Sequence, residues 1–288
     1  MGSRIVIITP ARDEEENILK TIESMASQTH PPLRWIIVDD GSSDRSPEIL
    51  REASERYEWL DFVRNEDRGF RAAGSGVVEA FYRGYERISH LEFDFLVKLD
   101  ADLSFGDDYF EKCLVEFEKW PKLGIGGGVI YNTINGERVL ERHPSFHVRG
   151  ATKIYRRECW EDIGGLFHVP GWDTLDEVKA QMKGWETASF PDIAIDQLRM
   201  TGGAAGQWAN WKKNGRASYI AGYHPLYLAA RAMKKIFRNG QLTSGIGLLT
   251  GFYSAMARRE PKVDDPELLK FLRQNQRDRL MGKSSIWH

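Results

Sequence analysis

The chain has 288 residues, 41% of them hydrophobic and 28% charged, with a formal net charge of -2, which is the composition of an ordinary globular protein with a full-sized core. Two widely separated cysteines, Cys113 and Cys159, point to neither a disulfide framework nor a zinc site and predict reduced, buried thiols in a cytoplasmic protein. No run reaches the roughly 18 apolar residues that a spanning helix requires.

Met1 leads almost directly into Ile5, Val6, Ile7 and Ile8, a start too short and too soon charged for a signal peptide. Residues 4–9 form a mostly β-branched apolar run that suits a strand buried on both faces, and Pro10 stops it. Asp13 stands three residues before Glu16, the spacing of a capping box, and Ile18, Leu19, Ile22 and Met25 follow at helical spacing. Residues 33–38 make a second buried strand that ends in Asp39-Asp40-Gly41-Ser42-Ser43-Asp44, and Pro47 opens a helix running through Tyr57. A short strand at 60–64, a small-residue loop at 69–75, a helix at 76–88 and a strand at 93–99 continue the alternation. This spacing predicts a mostly parallel sheet with helices on both faces.

Beyond Asp102 the pattern predicts a helix at 109–120, a glycine-rich strand at 123–131, a turn at 131–136 and an extended return at 139–148. A helix over 152–163 is ended by Gly164-Gly165, a helix over about 175–183 is stopped by Gly184, and a short strand covers 187–190. From Trp208 onward the chain is helical in pattern, basic and aromatic, with a polar linker at 261–266 and a final amphipathic helix at 267–280. Residues 211–288 hold 15 Lys and Arg against 5 Asp and Glu, so an acidic body carries a basic tail, a pattern suited to an anionic surface.

The chemistry centres on residues 93–103, where an apolar strand ends in Asp100 and Asp102, one residue apart. Open α/β sheets bind ligands at that edge. The pair can hold a divalent cation and, through it, nucleotide phosphates; a polar turn accounts for the same aspartates. Asp39 and Asp40 fall on the same predicted edge, and Asp173 sits in a loop before a helix. Like charges gathered there call for a cation or hydrogen-bond donors.

Pro10-Ala11-Arg12-Asp13-Glu14-Glu15 after the first strand and Val38-Asp39-Asp40-Gly41-Ser42-Ser43-Asp44 after the second resemble the opening of family 2 glycosyltransferases of the GT-A fold. Asp100-Ala101-Asp102 is similar to that family's DxD motif, and Trp172-Asp173, with Gly184 beyond, to its Glu-Asp motif. The resemblance spans residues 4–190 and implies a metal-dependent inverting transfer of a sugar from a nucleotide-diphosphate sugar, UDP or dTDP favoured, to a hydroxyl of a glycan or lipid-linked acceptor. It implies that Pro10, Arg12 or Glu14, and Asp39 or Asp40, hold the nucleoside. Asp102 is then the direct ligand of Mg²⁺ or Mn²⁺, Asp100 lies near the ribose or a metal-bound water, and Asp173 is the general base. Arg71 is a candidate for the phosphates and for a solvated helix start alike, and His224 is a candidate third metal ligand. Trp172 departs from the acidic residue usual before the aspartate and is assigned to the acceptor side. Asp176 and Glu177 are expected in the first helical turn, favoured by its dipole.

Residues 1–218 are expected to form the catalytic domain and 219–288 a basic, amphipathic helical region. Residues from about 219 to 260 would lie on the cytoplasmic leaflet, with Lys234, Lys235, Arg238, Arg258 and Arg259 at anionic headgroups. A solvated helical face packed on the body is the alternative. Nucleic-acid binding is not expected of an acidic body without a recognised module. A polyprenyl-phosphate sugar synthase and a non-catalytic nucleotide-sugar-binding module are the competing functions. A receiver-type phospho-acceptor domain would need its acidic pair after the first strand, not the second.

Overall fold

A computed structural model of the chain describes residues 2–67, 69, 75–199 and 206–286. The chain divides into two compact units, one of residues 1–165 and 183–200, the other of 166–182 and 201–288. The first is a mixed α/β unit built on one sheet. Strands β1 (Ile5–Ala11), β2 (Arg34–Asp39), β3 (Leu60–Arg64) and β4 (Phe95–Leu99) run parallel in the order β3-β2-β1-β4. Helices α1 (Ile18–Ala26), α2 (Ser46–Arg56) and α3 (Ser75–Ile88) make the crossovers that parallel strands require. Every residue from Ile5 to Thr9 and from Trp35 to Asp39 is buried, which is why these strands are continuous apolar runs without an alternating pattern.

Past β4 the chain forms a short strand β5 (Leu103–Phe105), helix α4 (Tyr109–Lys119), the long strand β6 (Leu123–Ile134) and its hairpin partner β7 (Glu137–Leu140). The expected turn at 131–136 is therefore shorter: β6 continues to Ile134, and Asn135 and Gly136, at φ of 52° and 82°, make the two-residue reversal. The expected helix over 152–163 is two elements, strand β8 (Thr152–Arg156) and helix α5 (Arg157–Ile163). Thr152 to Arg156 pair antiparallel with β4, and that ladder overrides a helical pattern that carries on into α5. The last strand, β9 (Glu186–Gln197), is twelve residues long and does not end at Phe190. Pro191 falls where the β6–β9 register shifts between Gly128 and Val129, so the missing N–H costs no ladder bond. The capping box does not form. Asp13 is left-handed, with φ of 53°, and its carboxylate receives the N–H of Ser43 at 2.9 Å, while Asn17 precedes α1.

The second unit contains helices α6 (Trp172–Met182), α7 (Gly206–Ile220), α8 (Pro225–Asn239), α9 (Leu242–Ala257) and α10 (Pro266–Leu280). Its core joins Leu175 and Val178 of α6 to Tyr219, Leu228, Phe252, Leu268 and Leu272. Cys113 and Cys159 are buried free thiols, as expected.

The glycine run in β6 is a packing requirement. A Cβ on Gly128 would stand 2.5 Å from Ile193 O and 2.9 Å from the Tyr109 ring, whose hydroxyl accepts the Gly128 N–H at 3.1 Å. Gly128→Ala should lower the urea midpoint by an amount equivalent to about 1–3 kcal/mol. Gly106→Ala, whose new methyl meets nothing closer than 3.6 Å, serves as the control and should leave the midpoint in place.

Candidate active site

The parallel strands deliver their C-terminal ends to one edge of the sheet, and there the register sets Ala11 beside Asp39. The two aspartates that follow divide their work. Asp39 is fully buried, its Oδ1 accepts the Ser42 N–H at 2.9 Å, and its Oδ2 lies 3.2 Å from Arg64 Nε. It closes its own turn. Asp40, 8% exposed, donates its N–H to Ala11 O at 2.8 Å, and its Oδ1 accepts from Asn65 Nδ2 at 3.2 Å. Gly41, at φ of 78°, allows the turn to sit against Asp67, whose Cα a Cβ would approach to 2.6 Å.

Pro10 lies in β1 opposite Val38. Arg12 braces the edge: Nη1 donates to Asp40 O at 2.7 Å and Nη2 to Asp67 Oδ1 at 2.8 Å. The Gly69 N–H, together with Arg12, holds the Asp67 carboxyl below its usual range. Glu14 is buried, receives Arg199 Nη2 at 2.9 Å and offers its N–H to Ser46 Oγ at 2.8 Å. Arg71 lies outside the described residues.

At the end of β4, the buried Lys98 ammonium donates to Asp100 Oδ1 and, at 2.6 Å, to Gly150 O. The turn that follows is pinned from three sides. The Thr21 hydroxyl donates to Ala101 O at 2.8 Å and accepts the Leu103 N–H at 3.1 Å, Asp100 N–H donates to Ala151 O, and Leu198 N–H to Asp102 O, each at 2.8 Å. Asp102 is 8% exposed and receives Gln197 Nε2 at a long 3.4 Å. Burial, with the charge of Asp100 added, pushes its carboxyl up to about 6 against the pull of Gln197, Arg199 and Lys98. Among the described residues no three His, Cys, Asp or Glu side chains are grouped to hold a metal by themselves. A cation here would take its remaining ligands from phosphate and water. The strained ionisation of Asp102 beside Asp100 fits such an ion, because a positive charge favours the carboxylate that burial disfavours.

Asp173 belongs to the second unit. Helix α6 starts at Trp172, so Asp173 is in its first turn, half-buried, following Gly171 at φ of 88°. Asp176 and Glu177, expected in the first turn, are not there. They lie one turn further on and are fully buried. Burial pushes the Tyr223 hydroxyl up, and the charges of Asp173 and Glu177 add to this while Arg231 opposes it. Trp172 is 7% exposed. His224 caps α8, its Nδ1 accepting the Leu226 N–H at 3.3 Å, and burial with Arg277 and Arg273 holds its pKa down. Cationic neighbours and a committed nitrogen disfavour a cation there.

The family model described as "Glycosyl transferase family 2" matches residues 6–169. The glycosyltransferase AglE of Haloferax volcanii is 30% identical over 249 residues, covering 82% of this chain and 72% of AglE. The chain belongs to glycosyltransferase family 2. The glycosyltransferase GlyA of Streptococcus pneumoniae is 25% identical, with 68% of this chain matched to 26% of GlyA, so the chain spans about a quarter of that relative. Among solved structures, the mannosyltransferase PcManGT from Pyrobaculum calidifontis, in complex with GDP-Man and Mn²⁺, superposes with a TM-score of 0.57 at 17% identity, covering 94% of this chain and 79% of that one. Staphylococcus aureus TarS 1-349 in complex with UDP gives 0.55 at 15%, covering 87% and 70%. These likenesses fix the fold as GT-A.

In this glycosyltransferase several edge residues escaped the sequence. Arg199 bonds Asp13 O at 2.7 Å from 186 residues away, and Gln197, Asn65 and Arg64 likewise carried no local signal. Lys98 did carry one, as a lone charge inside an apolar strand.

The Asp102 shift has a definite sign. Its folded-state value lies above that of an ordinary aspartate, so its ionisation opposes folding, and stability falls as pH rises from about 4 through 6. Without divalent cation, Asp102→Asn should resist urea better by about 1–3 kcal/mol at pH 8. Near pH 4 the advantage should vanish; an equal gain at both pH values would contradict the burial of a charge.

Proposed function

We propose that this glycosyltransferase transfers a sugar, with inversion, from a UDP- or dTDP-sugar to a hydroxyl of a glycan or lipid-linked saccharide, and that it depends on Mg²⁺ or Mn²⁺. The observation that carries this is the pair that follows β4, where Asp102 is buried one residue from Asp100 and is met by Gln197 Nε2 only at 3.4 Å. Neighbours solved with UDP, or with GDP-Man and Mn²⁺, support a nucleotide-diphosphate donor on the same fold.

Each residue then has a task. Asp39 is committed to Ser42 and Arg64, which makes Asp40 the acceptor for the ring N–H of uracil or thymine. A base lacking that donor would forgo a hydrogen bond to a charged acceptor, a loss of about 1.5–3 kcal/mol. Arg12, Glu14 and Pro10 shape the wall of this pocket, Arg12 by holding Asp40 O and Asp67 in place. Asp102 would hold the cation, with Asp100, steadied by Lys98, beside it. When bound, the ion would neutralise the departing diphosphate, so no second protein acid is needed. Asp173 takes the proton of the acceptor hydroxyl as that oxygen attacks the anomeric carbon. The basic C-terminal region is assigned to contact with an anionic membrane surface, near a lipid-linked acceptor.

Asp173→Asn should reduce turnover by about a hundredfold or more while the affinity for nucleotide, measured by calorimetry, stays within error. Loss of nucleotide affinity along with turnover would remove Asp173 from the role of base. Thermal-shift screening of UDP-, dTDP- and GDP-sugars with and without Mn²⁺ should show a metal-dependent shift that Asp102→Asn abolishes. A nucleotide shift indifferent to Mn²⁺ would count against Asp102 as its ligand.

A further inference from the structure

Helices α8 and α9 each carry apolar residues on two opposite sides, although each has only one side in the protein core. On α8, Leu228 and Ala232 are buried, whereas Leu226, Met233 and Phe237, spaced by seven and four, are 67%, 50% and 74% exposed. On α9, Gly247, Leu248, Gly251 and Phe252 are buried against the unit's own helices. Leu242, Ile246, Tyr253 and Met256 on the other side are 58%, 41%, 40% and 42% exposed. Alpha-helical spacing puts these four in one stripe. Helix α9 contains no charged residue at all. Phe237 and Leu242 flank the left-handed turn at Gly240, so the two stripes carry well-exposed apolar side chains to either side of the α8–α9 corner. A soluble surface rarely leaves so much contiguous apolar area bare.

Charge decides what covers it. Residues 206–259 contain nine Lys and Arg and not one Asp or Glu. Lys212 and Lys213 of α7, Arg231 and Lys234 of α8 and Arg259 beyond α9 are exposed. Lys234 follows Met233 and precedes Phe237 by three, which sets it on the flank of the α8 stripe. An apolar stripe on helices that carry cations and no carboxylate is complementary to a surface that is oily within and anionic at its rim. Among the described residues no helix is long and apolar enough to cross a membrane. We infer that the exposed stripe of α8 and α9, with Phe237 and Leu242 at its corner, is a face that inserts into an anionic lipid leaflet. This rests on the membrane contact proposed above and not on the donor chemistry.

The test is co-sedimentation of the full chain with vesicles of phosphatidylcholine, with and without phosphatidylglycerol. Anionic lipid should raise the partition coefficient about tenfold or more, and high salt should reverse much of the gain. Phe237→Glu with Leu242→Glu should cut binding at least about tenfold. Leu19→Glu, at an apolar position of the other unit that is 51% exposed, should not change it. Phe237→Trp retains an apolar side chain and gives a second measurement, a blue shift of emission on adding anionic vesicles beyond that of the unsubstituted chain, which has nine tryptophans of its own. Equal partition into neutral and anionic vesicles, or no emission shift, would overturn the inference. So would light scattering that shows a dimer split by Phe237→Glu, since the stripe would then be a contact between copies. The Mn²⁺-dependent nucleotide shift, measured on the same samples, tells failure of the lipid face from failure of the proposed transfer chemistry.

Discussion

Two carboxylates one residue apart at the end of a buried strand repel each other, and the edge of this sheet is arranged around that repulsion. Asp100 is answered by Lys98 of the preceding strand, whose ammonium a sheet interior tolerates because Asp100 and Gly150 O accept its hydrogen bonds. Asp102 is answered less completely, by an amide at 3.4 Å and by the field of Arg199 and Lys98. The inequality is specific: one acid is neutralised by the fold, and the other is left needing a partner. Four backbone groups of residues 100–103 are fixed by Thr21, Ala151 and Leu198, so the turn cannot relax to separate the charges.

Arg199 extends this arrangement across the edge. It reaches Asp13 O and Glu14 and acts on Asp102, so the segment after β9 is tied both to the loop after β1 and to the turn after β4. Arg12 does the same between the loop after β1, the turn after β2 and Asp67. Arginine suits both positions because its planar fork donates in two directions at once. The walls of the edge are thus made of cross-links between loops far apart in sequence, mounted on buried strands.

How much of this was legible follows from where each constraint comes from. The strands β1, β2 and β4 and the acidic residues after β2 and β4 were visible because burial on both faces writes itself as unbroken apolar sequence, and the turns follow directly. The strand at Thr152–Arg156 was not, because only its ladder with β4 separates it from the helix that continues its pattern. The strand expected at 187–190 runs on to Gln197 because Pro191 is absorbed at a register shift. Asp13 matched a capping spacing, yet its carboxylate serves Ser43, thirty residues away. Local spacing proposes partners within a turn, whereas Arg199, Asn65 and Gln197 find theirs through the fold.

The placement of α6 bears on how such enzymes can be recombined. Leu175 and Val178 share a core with Tyr219, Leu228, Leu268 and Leu272, while the chain on either side of α6 belongs to the sheet unit. A chimera that exchanged only the C-terminal helices with those of a relative would seat a foreign surface under the helix that bears Asp173. Natural or engineered exchange of that region therefore has to carry residues 166–182 with it as a second, separate graft.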